Sequence, residues 1–229
     1  MQQYFIEEEI NLDSKIKLRD DILYHLKKVL RGTNEYFRLV DANHKIYLAK
    51  LDGDNAQIIK YLAENNELDI DITAIIALIK SDKFELILQK LTELGVKKIV
   101  PYNAYRSIVK EKKSDKKLLR YKKILMEASE QCHRNIVPEI TEAIDLKDID
   151  TYLSDLNLIA YEKESADIKA KLKNKQSITF IIGPEGGFDP NEYQKLVDKG
   201  FESISLGKRI LRAETAAIYL ASIIGDVYQ

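Results

Sequence analysis

The stretch IIGPEGGFDP, residues 181–190, joins a strand to a helix and decides the fold. The β-branched and aromatic residues ITFII that lead into it (178–182) are typical of a buried strand. Three of the nine glycines and two of the four prolines then stand within eight positions. Asp189, Pro190 and Glu192 follow as an N-cap, a first-turn proline and the second half of a capping box. We therefore predict a strand, a glycine-rich loop and a helix in direct succession.

Strand and helix patterns alternate around this loop from about residue 72 onward. Apolar strand runs recur at ITAIIALI, VKKIVPY, LNLIAYE, SITFIIG and FESISLG, with helical patterns between them. This alternation is typical of a parallel α/β sheet, where ligands bind at the carboxyl ends of the strands. Among its helices we expect one at 118–134 and a nearly all-apolar one from about 209.

The first 70 residues have a different pattern. Short strand-like runs alternate with turn sequences such as DANHK and DGDN, and one helix is expected at 20–31. This is typical of a small barrel-like module. We therefore place a domain boundary between residues 71 and 72, which gives domains of 1–71 and 72–229.

Composition excludes several classes of protein. At 229 residues, 45% apolar and 32% charged, the chain has an ordinary globular composition. It lacks an apolar run long enough to span a membrane, and its acidic start lacks a secretion signal. A single cysteine excludes an internal disulfide. The cysteine and the three histidines are not spaced as metal ligands are. We expect a cytoplasmic protein that binds neither membrane nor metal.

The net charge of −1 conceals a basic segment. Residues 80–123 carry 14 Lys or Arg against 5 Asp or Glu, a net charge of +9. Such an excess is the electrostatic footprint of a polyanion-binding site. A solvated lysine-rich loop is the alternative, and charge alone favours neither.

A second glycine-bearing turn, SLGKRILRAETAA (205–217), also follows a strand and enters the last helix. If the two strands are neighbours, the two loops form opposite walls of one pocket. Glu185 at the apex of the first loop would repel a phosphate, and no P-loop lysine is present, so a cationic or neutral ligand is favoured. A tight turn and an ordinary helix entry are the structural alternatives.

GPEGGF and LGKRILRAETAA together resemble the paired C-terminal motifs of the ribosomal small-subunit RNA methyltransferase E family. HLKKVLR (25–31), QKLTELGVKKIVPYNAYRS (89–107) and EASEQCHRNIVPEI (127–140) resemble its other blocks, in the same order. Members of this family, in the SPOUT superfamily, methylate N3 of the uridine at position 1498 of 16S rRNA. The resemblance implies a PUA-like β-barrel followed by a SPOUT-type parallel α/β domain with a C-terminal trefoil knot. It also implies a homodimer, S-adenosylmethionine as methyl donor and the small ribosomal subunit as partner.

The resemblance also assigns binding residues. The cofactor is expected to contact both glycine loops, at Ile182, Gly183, Pro184, Glu185, Gly186, Gly187, Leu206, Gly207, Ile210, Leu211, Arg212, Glu214, Thr215 and Ala216. RNA is expected to contact Arg31, Lys80, Lys90, Arg106, Lys110, Lys112, Lys113, Arg120 and Arg134. The chain departs from the family at Gln3, where an arginine is usual, and at Asn34-Glu35, where Gly-Asp is usual.

Methylation at uracil N3 requires that the N3 proton leave, by a general base or through stabilisation of the anion. On the charged face expected for helix 118–134, Glu130 is the candidate base. Arg134 and Arg212 are the candidate anion stabilisers. Two alternatives stay open: an RNA-binding protein that keeps the SPOUT fold without the chemistry, and an enzyme that binds a nucleotide through residues 183–187.

Overall fold

The computed structural model describes residues 1–12, 14–29, 36–110, 115–161 and 168–229. By its contacts the chain separates into Met1–Glu67 with Ser129–Ile136, and Leu68–Ala128 with Val137–Gln229. The first of these boundaries lies four residues before the one expected from sequence. The sequence pattern gave no sign that Ser129–Ile136 belongs with the first unit.

The first unit contains one five-stranded sheet. Its strands are β1 (Gln3–Phe5), β2 (Lys15–Lys17), β3 (Tyr36–Val40), β4 (Ile46–Asp52) and β5 (Asn55–Leu62), in the order β1-β3-β4-β5-β2. β3, β4 and β5 form an antiparallel meander, and β1 pairs in parallel with β3. The helix expected at 20–31 is α1 (Asp20–Tyr24), continued by a π-helical segment (His25–Val29).

The second unit contains a sheet of six parallel strands. They are β6 (Asp71–Ala77), β7 (Lys98–Tyr102), β8 (Glu139–Ile140), β9 (Leu156–Ala160), β10 (Ser177–Ile182) and β11 (Glu202–Ile204). The helices are α2 (Ser81–Glu93), α3 (Asp115–Gln131), α4 (Ile168–Leu172), α5 (Pro190–Asp198), α6 (Ala213–Tyr228) and a 3₁₀-helix (Leu146–Tyr152). The α/β class predicted from the alternating pattern is therefore correct.

Helices cover both faces of this sheet, so its strands are apolar on both sides. On β6, Ile72 and Ile76 belong to one buried cluster and Ile75 to the other. The first cluster also holds Ala217 and Leu220 of α6, which packs on α2 and α4. The apolar composition of the last helix is thus explained by burial within its own chain.

β10 occupies the point where the direction of strand order reverses. The order is β11-β9-β10-β6-β7-β8, so the chain runs outward from β6, crosses to β9 and then inserts β10 between β9 and β6. Ile182 at the end of β10 lies opposite Ile76 of β6. β11 is separated from β10 by β9, so the strands that precede the two glycine loops are not the neighbours we expected.

The segment after α3 corrects the interpretation of Arg134. The helix ends at Gln131, not at 134, so Arg134 does not share its charged face. The Arg134 side chain is 4% exposed, and its Nε lies 3.2 Å from both carboxylate oxygens of Glu67. The backbone N–H groups of Asn135 and Ile136 donate to the same carboxylate, at 2.9 and 3.1 Å. Arg134 is thus buried and paired, and its guanidinium is not available to an RNA phosphate.

Gln3 completes this arrangement in the first unit. It is fully buried, and its Nε2 donates to the carbonyl oxygen of Arg134 at 2.7 Å. The residue that departs from the family pattern therefore has a structural partner. His133 Nε2 lies 2.9 Å from the carbonyl oxygen of Met1, so the start of the chain is attached to the same segment.

We expect Glu67→Gln to lower the free energy of unfolding by about 1.5–3 kcal/mol, because the hydrogen bonds from the buried Arg134 guanidinium then reach a neutral amide oxygen in place of a carboxylate. The measurement is urea denaturation followed by circular dichroism. Asp71→Asn is the matched control: it breaks the exposed 2.6 Å pair with Lys97 and should cost about 0–1 kcal/mol. Equal costs for the two variants would contradict the structural role of the buried pair.

Candidate active site

The first glycine loop is a tight turn between β10 and α5. The Gly187 N–H donates to the Pro184 carbonyl at 2.9 Å, and Gly187 has φ +67°, which favours glycine. The Asn191 N–H donates to Asp189 Oδ1 at 2.9 Å, and the reciprocal half of the capping box, from Glu192, is also present. The predicted strand, loop and capped helix are all confirmed.

Gly183 and Gly186 serve different purposes in this loop. A Cβ atom at Gly183 would lie 2.9 Å from the ring of Phe188, which is 7% exposed and packs in the core. The glycine is therefore required for the Phe188 ring to close over the end of β10. A Cβ at Gly186 would lie 3.6 Å from Cβ of Arg106, an ordinary contact.

Arg106, expected to bind RNA, braces the glycine loop. Its Nη1 donates to the Gly186 carbonyl at 3.3 Å, and its Nη2 lies 3.6 Å from Asp189 Oδ2. The side chain is still 48% exposed. One face of the guanidinium is therefore engaged by the loop, while the remaining surface is accessible to a ligand.

A buried carboxylate, Glu192, connects the first turn of α5 to the end of β7. Glu192 is fully buried, and its Oε1 accepts from the Tyr102 hydroxyl at 2.5 Å and from the Tyr105 N–H at 2.9 Å. Burial and this hydrogen bond raise the pKa of Tyr102 well above its ordinary value, so the phenol stays protonated and donates. The end of β7 is thereby attached to the start of α5. Sequence reasoning identified Glu192 only as a helix cap.

The second glycine loop has its own constraints. Gly207 has φ +113°, and its N–H lies 3.3 Å from Ser205 Oγ. Leu206 and Leu211 pack against the core, whereas Ile210 is 82% exposed. α6 begins at Ala213, not at 209, because the residue before it has extended backbone angles. That residue is Arg212, and it is exposed.

Lys83, in the first turn of α2, brings the two loops together. Its Nζ lies 3.4 Å from Glu185 Oε1 on the first loop and 3.8 Å from Glu214 Oε1 at the start of α6. Glu214 Oε2 is buried and has no hydrogen-bond partner among the described residues. Two carboxylates share one ammonium, so this corner has an excess negative charge that suits a cationic group. Lys83 was missed in the sequence, where nothing indicated its partners.

The other residues expected to bind RNA differ in availability. Lys80 and Lys110 are exposed. Lys90 Nζ is paired with Glu93 at 2.8 Å, and Arg120 Nε with Glu85 at 2.8 Å. Arg31, Lys112 and Lys113 lie outside the described residues, as do Asn34 and Glu35.

The three candidate catalytic residues do not belong to one unit. Glu130 lies in the last turn of α3 and belongs with Arg134 to the first unit, whereas Arg212 belongs to the second. Burial, and then the charge of Glu130, raise the pKa of Tyr4 to about 12. Glu130 therefore lies close enough to the first sheet to act on Tyr4.

Two expected absences can be checked only in the described residues. There, no group of three or more His, Cys, Asp or Glu residues could hold a metal ion. In the same part of the chain, no helix is long and apolar enough to cross a membrane.

Comparison with known proteins gives the family. An RNA methyltransferase domain matches residues 66–225. The ribosomal RNA small subunit methyltransferase E of Mesomycoplasma hyopneumoniae is 37% identical, over 96% of this chain and 97% of its own. That of Bacillus subtilis is 33% identical, over 98% and 96%. The chain belongs to the ribosomal RNA small subunit methyltransferase E family. The family suggested by the two glycine motifs is therefore confirmed.

A solved member of the methyltransferase E family shares the fold. The enzyme of Neisseria gonorrhoeae superposes with a TM-score of 0.91 at 30% identity, covering 100% of this chain and 98% of that one. It was crystallised with S-adenosylmethionine bound, so the cofactor expected for the family is confirmed. The fit with this chain lies in its two loops, whose glycines leave backbone accessible and whose carboxylates suit a cationic ligand.

We expect Gly183→Ala to weaken S-adenosylmethionine binding by at least tenfold, because the new methyl group displaces Phe188 and with it the loop. Gly225→Ala, near the end of α6, is the control and should bind within about threefold of the unaltered protein, since its methyl group meets the Leu94 carbonyl oxygen at 3.8 Å, an ordinary contact distance. Isothermal titration calorimetry measures both. If Gly183→Ala binds as tightly as Gly225→Ala, Phe188 packing is not what shapes the loop.

Proposed function

We propose that the chain transfers a methyl group from S-adenosylmethionine to N3 of one uridine in 16S rRNA, at position 1498. The observation that carries the proposal is that a residue from each family motif, Glu185 and Glu214, lies within 4 Å of the Lys83 ammonium group. Two loops that are distant in sequence thereby form one corner at the carboxyl edge of the sheet, where ligands bind in such folds.

The cofactor chemistry fits this corner. S-adenosylmethionine carries a sulfonium, an ammonium and a carboxylate group and is a net cation, and two carboxylates around one lysine leave an excess negative charge for its cationic groups. We assign the cofactor contacts to the end of β10, the two glycine loops and the first turn of α6. The residues are Ile182 to Gly187, Leu206, Gly207, Ile210, Leu211, Arg212, Glu214, Thr215 and Ala216.

The reaction is an in-line displacement at the methyl carbon. The N3 proton leaves to a base, N3 forms a bond to the methyl carbon, and the carbon–sulfur bond breaks to give S-adenosylhomocysteine. We assign proton removal to Glu130 and stabilisation of the uracil anion to Arg212. Arg134, whose guanidinium is held by Glu67, is withdrawn from this role. Alignment of nucleophile, methyl and sulfur supplies much of the rate.

The substrate must present an unpaired uridine, because N3 lies on the Watson–Crick edge of the base. We propose that exposed cations on the second unit, including Lys80, Lys110 and part of Arg106, contact the phosphates of the small-subunit rRNA. We also propose that the enzyme acts as a homodimer, as the family resemblance implies, and in the cytoplasm, where a chain with a single cysteine is expected. Gel filtration with light scattering tests the dimer.

The alternative is a non-catalytic RNA-binding protein with the same fold. Calorimetry with S-adenosylmethionine separates the two, since a protein without the chemistry need not retain the cofactor. The direct test of the proposed reaction is incubation with small ribosomal subunits that lack the methyl group, followed by mass spectrometry of the rRNA. Absence of N3-methyluridine at the target position would contradict the proposal.

We expect Glu130→Gln to lower the single-turnover methylation rate by about 10²–10⁴, the usual range for loss of a general base. Raising the pH should restore part of the rate, because more uracil then ionises unaided. Glu127→Gln, an exposed carboxylate in the same helix paired with Lys123, is the matched control and should keep the full rate. A normal rate for Glu130→Gln at neutral pH would exclude Glu130 as the base.

We expect Arg212→Lys to lower the rate at every pH, because the charge is kept but the planar fork is lost. Arg209→Lys, exposed three residues earlier on the same loop, is the control. Recovery of the Arg212→Lys rate at high pH would mean that Arg212 acts on proton removal and not on the anion.

A further inference from the structure

A cavity of about 600 Å³ lies on the second unit, apart from the two glycine loops. Three segments line it: the loop after β7 (Asn103, Tyr105, Lys110), the start of the 3₁₀-helix and the residue before it (Asp145–Lys147), and the carboxyl-terminal part of α5 with the residue that follows (Lys195, Asp198, Lys199). None of the residues assigned above to the cofactor is among those that line it. The cavity is therefore distinct from the cofactor site assigned above.

The free charges around this cavity are mainly cationic. The ammonium groups of Lys110, Lys147 and Lys195 are exposed and make no ion pair or side-chain hydrogen bond with any residue that the structure describes. The two carboxylates are hydrogen-bonded to neutral amides and keep their charge: Asp145 Oδ1 accepts from Asn103 at 3.2 Å, and Asp198 Oδ1 accepts from Gln194 at 2.9 Å. The lining therefore has four lysines against two aspartates. The fourth lysine, Lys199, is paired with Asp150.

Tyr105 supplies a fixed aromatic surface beside these lysines. It is 52% exposed, while its backbone N–H is held by the buried carboxylate of Glu192 at 2.9 Å. A ring on an anchored backbone loses little entropy when a flat ligand stacks on it. Unpaired ammonium groups beside an exposed ring are the combination that binds single-stranded nucleic acid.

We propose that this cavity binds a nucleotide of the substrate RNA that flanks the target uridine, with its base on Tyr105 and its phosphates on the three lysines. The inference rests on the proposed function. α5 starts directly after the first glycine loop, so Lys195 and Lys199 lie roughly 8–14 Å along its axis from Pro190. At about 3.4 Å per nucleotide of stacked strand, a few nucleotides are long enough to span this distance.

The loop after β7 also connects the cavity to the glycine loop. Tyr105 and Lys110 line the cavity, while Arg106 between them contacts the Gly186 carbonyl. RNA in the cavity and cofactor in the glycine loop would therefore both lie beside this one short segment.

The test uses the full-length protein and a short single-stranded RNA of mixed sequence, with a strand of the same length that lacks bases. Affinities are measured by fluorescence anisotropy over a range of salt concentrations. Tyr105→Ala should lose about tenfold in affinity for the RNA but not for the abasic strand, and Tyr105→Phe should lose nothing. Lys147→Ala/Lys195→Ala should weaken binding of both strands and reduce the salt slope by about 1.4.

Lys173→Ala/Lys175→Ala is the matched control, since it removes the same charge just before β10 begins, at the opposite edge of the sheet. It should change neither affinity nor slope. All of the altered side chains that line the cavity are exposed, and calorimetry with S-adenosylmethionine should give unchanged affinity in every variant.

The outcomes separate the two proposals. An unaltered protein that binds no S-adenosylmethionine would contradict the proposed function. An unaltered protein that binds both cofactor and RNA, with Tyr105→Ala and the cavity lysine pair indistinguishable from the control pair, would overturn the cavity assignment alone.

Discussion

The position of β10 is the constraint on which the rest of the second unit depends. It pairs in parallel with β9 on one side and β6 on the other, and residues 178–182 are buried. The strand is enclosed by a neighbour on each side, and the chain leaves the sheet after Ile182, at its carboxyl edge. Gly183 permits that exit because it leaves room for Phe188 to pack back over the strand end. The loop after this exit carries Glu185, which lies 3.4 Å from Lys83, and it is there that we propose the ligand binds.

Parts of this arrangement followed from local rules. The capped start of α5 and the alternation of strands with helices depend on residues that are close together in sequence. The capping residues and the spacing of apolar residues therefore predict both. The strand order is determined by crossovers, which leave no local trace; β9 therefore separates two strands expected to be neighbours. The pairing of Lys83 with Glu185 and Glu214 joins residues more than a hundred positions apart, and no spacing predicts it.

The segment that follows α3 shows why the helical spacing of charged residues gave a wrong prediction for Arg134. A charged residue continuing a helical stripe is normally solvated, and Arg134 fits the stripe of α3 by spacing. Three residues earlier the helix has ended, because Glu67 offers a carboxylate that accepts from Arg134 and from the two backbone N–H groups after it. The hydrogen bonds from these buried donors to a distant carboxylate were more favourable than another turn of helix. Each buried donor left without an acceptor would cost about 1–3 kcal/mol.

Three glutamates in the second unit show how surroundings decide what a carboxylate does. Glu192 is fully buried and its acceptors are used by Tyr102, Tyr105 and the start of α5, so it can only hold structure. Glu185 is partly exposed, and its Oε1 lies near the ammonium group of Lys83, which also lies near Glu214. Glu214 is mostly buried, yet one of its oxygens has no partner in the described chain, a state that costs free energy unless a ligand satisfies it. A carboxylate in that state, beside the lysine that both glycine loops share, supports the proposal that a cationic group of the cofactor binds there.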